Sequence, residues 1–572
     1  MDKRRAADIL KEIGFYLELK GESLFKVRAY ENGARIMESL EEDLDTLVRE
    51  NRLGSIPGIG KALEQKIGEL VRTGHLPYYE ELKAQFPSSL FDLLRIPGLG
   101  AKKVRTLYET LGIATIGELE YACRENRLVD LPGFGEKTQQ NILKGIAHAR
   151  KGAGRTLLHE AGEMACSVFD RLKDCPQVRS LRIAGSLRRS RETVKDIDIL
   201  ASSDQPSAVM EYFVSLPDVA EVTGQGETKT SVRLRGGIAV DLRVVSPDQY
   251  PYALHHFTGS REHNTKMRHI AKSMDIKMNE YGLFRGEDET LIPCGGEEEI
   301  YRALGMSYIP PELREDMGEI EAALENKLPT LVESRDLQGI FHFHSRYSDG
   351  SDTILALAEE ARRQGYRYMG ISDHSRSAYY ARGLKEEDVK RQQEEIDALN
   401  KRWNDFYIFK GIESDILPDG SLDYPDEFLK CFDFVIASVH SHFRMDKDSM
   451  TNRIEKALEN PYTTILGHPT GRLLLSRDGY ELDMERILKK AAEKGIVIEI
   501  NANPHRLDLD WRWCKKAREM GIRLMINPDA HSLPEIANTG FGTAMARKGW
   551  CEKKDIVNCL DVDSMKEFLK RQ

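Results

Sequence analysis

The chain has 572 residues, of which 40% are hydrophobic and 31% charged, and its formal net charge is −10. At roughly 100 to 200 residues per domain this exceeds a single core and predicts about three to five modules. The balance excludes a globally basic nucleic-acid coat and a disordered chain, and no apolar run approaches the ~18 residues of a spanning helix.

The start, MDKRRAADILKEIGFYLELK, reads as a charged amphipathic helix rather than a signal peptide. The eight cysteines are scattered without a C-x-x-C pair, which predicts reduced thiols and a cytoplasmic protein. The first 310 residues carry 44 basic against 46 acidic side chains, so the acidity lies mostly beyond them. Within that balanced half, Arg179, Arg182, Arg188, Arg189, Arg191 and Lys195 form a stripe suited to phosphates.

Three repeats come first along the chain: SIPGIGKALEQKI, RIPGLGAKKVRTL and DLPGFGEKTQQNI. Each has an apolar residue, Pro, Gly-x-Gly and a Lys-bearing amphipathic helix, which predicts helix, glycine turn, helix. Gly58, Gly60 and Lys61, then Gly98, Gly100 and Lys102, then Gly133, Gly135 and Lys137 would bring backbone and charge close to a phosphate. From about 178 to 245 the pattern changes to strands, followed by a helical segment to about 315 and the acidic stretch PPELREDMGEIEAALENKLP, read as a connector. Beyond residue 337, seven short apolar runs alternate with amphipathic helices, the pattern of a parallel barrel.

Two constellations carry chemistry. In AGSLRRSRETVKDIDIL, Asp196 and Asp198 alternate on a strand and share a face, and Asp241 in IAVDLRVV supplies a third carboxylate for a two-Mg²⁺ site that activates a 3′ hydroxyl. Gly185 and Ser186, with Arg189 nearby, are placed to cradle a triphosphate. In the barrel, His342, His344, Asp349, His374, Glu413, His440, His468, Asp529 and His531 fall at strand ends. Nine N/O ligands suit two or three ions such as Mn²⁺, Zn²⁺ or Fe, and paired metals about 3.5 to 4 Å apart favour phosphate-ester hydrolysis. Asp373, His442 and Asn503 read as supporting positions, His505 as a loop histidine, and Arg472 as a phosphate contact or a helix cap.

The first 310 residues resemble a family X DNA polymerase of the polymerase beta type, through G-S…D-x-D, VDLRVVSPDQY, FTGSREHNTKMRHIAKSMDIKMNEYGLF and the hairpins. That resemblance implies metal-binding Asp196, Asp198 and Asp241, triphosphate contacts from Ser186 and Arg189, minor-groove contacts from Asn264 and Arg268, and a sugar bordered by Phe257, Thr258 and Gly259. His256 and Arg261 depart from the family, which usually has an aromatic and an acidic residue there. It further implies a 5′-deoxyribose phosphate lyase, with Lys66 as the Schiff-base amine and Lys26 and Tyr30 around its phosphate, and a monovalent cation at the hairpins.

HFHSRYSDGS, ISDHS, GIESD, SVHSH, GHPTGR and PDAH occur in order over 337–572 and resemble the polymerase and histidinol phosphatase (PHP) domain, implying a distorted seven-stranded barrel with a trinuclear site and 3′-to-5′ exonuclease or abasic-site processing. The expected architecture is multidomain α/β: a lyase-like helical domain over 1–85, fingers with helix-hairpin-helix motifs over 86–155, an α+β nucleotidyltransferase palm over 156–250, a thumb over 251–315, a linker over 316–336 and a (β/α)7 PHP barrel over 337–572. The expected function is gap filling in base excision repair on gapped or nicked DNA with dNTPs, away from membranes. A phosphatase for a small phosphate ester carrying a non-polymerising DNA-binding module is the alternative, and a DNA-binding scaffold without activity is a weaker one.

Overall fold

The computed structural model describes residues 3–40, 44–96, 98–129, 131–149 and 154–570. It divides into two compact units, Met1–Arg150 and Lys151–Gln572.

The first unit is helical. Most of its helices are short enough to be marginal alone, and all are held by shared apolar packing. Leu10, Ile13 and Leu17 of the helix Lys3–Leu19 lie in one cluster with Leu63, Ile67 and Leu70 of Lys61–Thr73 and with Val104 and Leu107 of Ala101–Leu111. The segments expected as separate domains, 1–85 and 86–155, therefore share a single core up to residue 149. The three glycine turns form as the repeats predict: Gly58, Gly98 and Gly133 have φ of 95°, 86° and 84°, a region costly for any side chain. Pro97 and Asp130, within the second and third repeats, lie outside the described residues.

The second unit begins with a five-stranded sheet made of β1 (Ser180–Ile183), β2 (Asp196–Ser202), β3 (Val219–Gln225), β4 (Lys229–Leu234) and β5 (Ala239–Val245), in the order β1-β2-β5-β4-β3. β2 and β5 are parallel and the remaining pairs antiparallel. Alternation along β2 and β5 buries Ile197, Ile199, Val240 and Leu242 and leaves Asp196, Asp198 and Asp241 on the other face. The helices Tyr250–Thr258 and Arg261–Ser273 follow.

The barrel strands are β6 (Gly339–Phe343), β7 (Tyr368–Ile371), β8 (Tyr407–Asp415), β9 (Phe434–Ser438), β10 (Ile465–Leu466), β11 (Val497–Asn501) and β12 (Leu524–Asn527), all parallel and in sequential order. A bridge between Phe343 and Ala530 brings the two edges together. Phe341, Phe409, Phe434 and Met525 fill one end, where Gly370 and Gly411 leave no space for a Cβ beside Phe341 and Phe434.

The acidic stretch expected as a connector is folded. It forms Pro311–Leu313 and Glu319–Leu324, and its carboxylates neutralise cations that burial would otherwise leave stranded. Glu315 accepts from Lys548 at 2.7 Å, a lysine with no exposed surface, and Glu312 accepts from Arg547 at 2.8 Å. Arg314, fully buried, donates to Glu297 at 2.6 Å. Net acidity concealed these pairs, because their partners lie far off in sequence.

Candidate active sites

In the palm, the parallel register sets Asp198 directly beside Asp241, with Asp196 two residues earlier on the same face. Lys229 Nζ and Ser231 Oγ, from β4, bond Asp241 at 2.5 and 2.6 Å and fix its rotamer. Burial, followed by the charges of Asp196 and Asp241, pushes the Asp198 carboxyl up to about 6. Three converging carboxylates with that mutual repulsion suit a divalent cation. Gly185, at φ 63°, opens the helix Gly185–Arg188, and a Cβ there would collide with Asp198 Oδ2. Glycine is therefore required both by φ and by the carboxylate.

The expected nucleotide contacts are distributed around that face. Ser186 stands in the first turn after Gly185. Arg189 is engaged: it donates to Glu315 Oε1 at 3.1 Å and to the Thr258 carbonyl at 2.8 Å, so a triphosphate would have to displace that pair. Thr258 Oγ1 accepts from Arg188 at 2.6 Å, and the Phe257 ring lies 4.2 Å from the Arg243 guanidinium. Gly259 leaves no room for a Cβ beside Asn264, whose amide donates to the His256 carbonyl at 2.6 Å. Arg268 is exposed on the helix Arg261–Ser273, and His256 packs edge-on against Phe257 at 4.9 Å.

The barrel gathers all nine expected ligands. Glu413 in β8 is the hub: its carboxylate lies 3.2 Å from His342, 3.0 Å from His374, 3.3 Å from His440 and 3.0 Å from His468. Asp529 lies 3.3 Å from His344, and Asp349 lies 3.4 Å from His531 and 3.5 Å from His374. Three overlapping groups result, His344–Asp349–His374–His531, His342–His344–Asp529 and His374–Glu413–His440, each compact enough for one ion. Both ring nitrogens of His344 and of His374, and Nε2 of His342, are buried without a hydrogen-bond partner. Buried polar atoms are seldom left so, and these donors therefore fit metal ions. Burial, with His531 and His374 beside it, pulls His344 down to about 3, whereas His342 and His374, buried but faced by carboxylates, are held well above the ordinary imidazole value. A register shift between Ile340 and Phe343, with φ 63° at His342, lets His342 and His344 both reach the cluster.

Two residues escaped the sequence reading. Glu499, in β11, accepts from His342 Nδ1 at 2.6 Å and from the His468 amide at 2.7 Å. Asp415 accepts from His440 Nδ1 at 2.6 Å. Such carboxylates set the tautomer and orientation of a ligating imidazole. Asp415 lies two residues after Glu413 on the same strand face, the signal that could have found it, whereas Glu499 has no such neighbour in β11. Asp373 supports the loop after β6 instead, accepting from the amide and hydroxyl of Ser345 at 2.7 and 2.6 Å. Arg472 is committed to structure, bonding the carbonyls of Arg506 and Leu507 and, at 2.9 Å, Asp510. His505 is a buried loop residue whose ring lies 5.2 Å from that of His159.

In the first unit, Gly60 and Gly100 cap helices that have no side-chain N-cap. A Cβ at Gly60, Gly100 or Gly135 would meet nothing within 4 Å, and none of the three has a positive φ. Neither crowding nor backbone geometry thus demands glycine there, whereas close approach of a ligand backbone would. Lys61, Lys102 and Lys137 are exposed beside these turns. Lys66 Nζ lies 4.3 Å from the Tyr78 ring and 5.8 Å from the Tyr30 ring, and Lys26 pairs with Glu22 at 3.1 Å nearby.

Fold and sites together define a polymerase-beta-like nucleotidyltransferase joined to a PHP phosphoesterase barrel. The chain matches the DNA polymerase beta thumb over 253–315, a helix-hairpin-helix domain over 1–76, a SAM-like helix-hairpin-helix tandem over 90–147 and the PHP domain over 341–503. It is 40% identical over 573 aligned positions, covering 100% of both chains, to the DNA polymerase/3′-5′ exonuclease PolX of Bacillus subtilis (strain 168). Over 26% of its length it is also 34% identical to probable phosphatases of Caldanaerobacter subterraneus subsp. tengcongensis and Thermoanaerobacter pseudethanolicus, covering 56% and 58% of those proteins. The chain belongs to the PolX family of DNA polymerase/3′-5′ exonucleases. Among the described residues no helix is long and apolar enough to cross a membrane.

Proposed function

We propose that this chain fills short gaps in DNA during base excision repair and processes 3′ ends with its barrel. The observation that carries the reading is the Asp198–Asp241 register with Gly185 packed against it, which sets converging carboxylates beside a glycine turn. Asp196, Asp198 and Asp241 would hold Mg²⁺, and the nine barrel residues would hold two or three ions of Mn²⁺, Zn²⁺ or Fe. When bound, these ions supply Lewis acidity and make a hydroxyl nucleophilic near neutral pH.

The protein's own groups do the rest. Gly185 and Ser186 receive the triphosphate, with Arg189 exchanging Glu315 for phosphate oxygens. Phe257, Thr258 and Gly259 line the sugar, and Asn264 and Arg268 face the nascent pair. Gly58, Gly60, Lys61, Gly98, Gly100, Lys102, Gly133, Gly135 and Lys137 grip the DNA backbone without reading sequence, with a monovalent cation at the turns. Lys66, with Lys26 and Tyr30 around it, would serve a 5′-deoxyribose phosphate lyase as its amine.

Likeness to probable phosphatases covers only a quarter of the chain, whereas likeness to the polymerase/exonuclease covers all of it, which favours DNA over a small phosphate ester. The test is dNTP incorporation on a one-nucleotide gap against a long primed template. The gap should be preferred, and preference for the long template overturns the gap-filling role.

A further inference from the structure

We propose that the barrel loop 375–384 is the subsite for the 3′-terminal nucleotide, with Tyr379 as the platform on which its base stacks. The proposal rests on assigning the nuclease to the barrel. The loop departs directly from His374 and returns to it: Ser375 bridges Leu384, and the Leu384 amide donates to the His374 carbonyl at 2.8 Å. Its base is fixed. Ser377 Oγ donates at 2.8 Å to Asp415, the carboxylate that orients His440, and Arg376 donates at 2.7 Å to the Asp423 carbonyl. A Cβ on Gly383 would collide with the Ser375 carbonyl, so the turn closes tightly.

The tip carries the recognition chemistry. Tyr379 is 70% exposed, although a tyrosine ring gains most when covered. The rings run in file from the cluster outward: Tyr380 lies 6.4 Å from His374, and Tyr379 lies 5.9 Å from Tyr380. Beside Tyr379 opens a hollow of about 880 Å³, lined also by Arg376, Arg382, Lys385, Glu386 and Glu387. That volume accepts a nucleotide, and the charged side chains on its wall can hydrogen-bond the 3′ hydroxyl and sugar of a terminal residue, whose one phosphate is the scissile one held at the cluster. Stacking tolerates every base, as removal of successive nucleotides from arbitrary sequence requires.

The test uses the full chain with Mn²⁺ and a single-stranded oligonucleotide. Tyr379→Ala should raise the KM for 3′ hydrolysis about tenfold and abolish the fluorescence quenching of a 3′-terminal 2-aminopurine, while Tyr379→Phe keeps both near wild type. On an oligonucleotide ending in an abasic 3′ residue, which offers no ring to stack, Tyr379→Ala and wild type should differ less than about twofold in KM. An unchanged KM for Tyr379→Ala overturns the subsite, as does an equal loss on both substrates, which would make the loop a mere support of the cluster. If His344→Ala leaves 3′ hydrolysis intact, it is the barrel assignment that fails instead.

Discussion

Asp198 stands opposite Asp241 across the parallel β2–β5 ladder, and the Cβ that Gly185 lacks would occupy the place of the Asp198 carboxylate. Gly185→Ala must therefore shift Asp198 or the turn, and misplacement of about 1 Å in a reacting constellation costs about 100-fold in rate. Single-nucleotide incorporation should fall by about that factor while 3′ hydrolysis persists. Incorporation within twofold of wild type would contradict the packing.

The carboxylate trio also predicts a pH effect without metal. Asp198 rises from 3.8 to about 6 in the folded chain, so its favourable contribution is complete below about 4 and is lost as pH climbs through about 6. Asp198→Asn in chelator should accordingly stabilise the protein by about 1–2 kcal/mol at pH 7.5, and negligibly at pH 4. Mg²⁺ should raise the Tm of the wild type more than that of the variant. Equal melting curves at pH 7.5 would mean the repulsion is relieved by other means.

Glu499 touches two histidines of the barrel cluster without belonging to any of the three ligand groups. Its replacement by Gln should lower metal affinity about 10- to 100-fold, read by metal content after dialysis, with gap filling retained. Metal content equal to wild type would show that His342 holds its orientation unaided.

The glycine turns separate folding from binding. Gly98→Ala meets a φ of 86° and should cost about 1 kcal/mol of stability in thermal melts. Gly100→Ala meets open space and a φ of −98°, so it should lose only the roughly 0.5 kcal/mol by which Gly surpasses Ala as an N-cap, yet bind gapped DNA several-fold more weakly by anisotropy. Undiminished binding by Gly100→Ala would remove the reason for glycine there.

Local periodicity made much of this legible. The three Gly-x-Gly turns, the Asp196/Asp198 alternation and the strand-end habit of the barrel histidines all depend on neighbours in sequence, and each stands where the pattern puts it. What escaped depends on distant partners. Glu499 reads as a stray charge in an apolar strand until His342, 157 residues away, meets it, and the acidic stretch reads as solvent-loving until Lys548 is found buried against Glu315. The expected boundary between 1–85 and 86–155 is not marked by a break in the packing, since Leu10 and Val104 belong to one apolar cluster, a relation between residues far apart in sequence.

Two independent metal-dependent sites on one chain is the central claim, and a pair of substitutions tests it most directly. On a gapped substrate with a labelled 3′ end, in Mg²⁺ with and without Mn²⁺, Asp198→Ala should abolish extension and leave 3′ hydrolysis. His344→Ala should do the reverse. Loss of both activities in either variant, or of neither in both, would contradict the account.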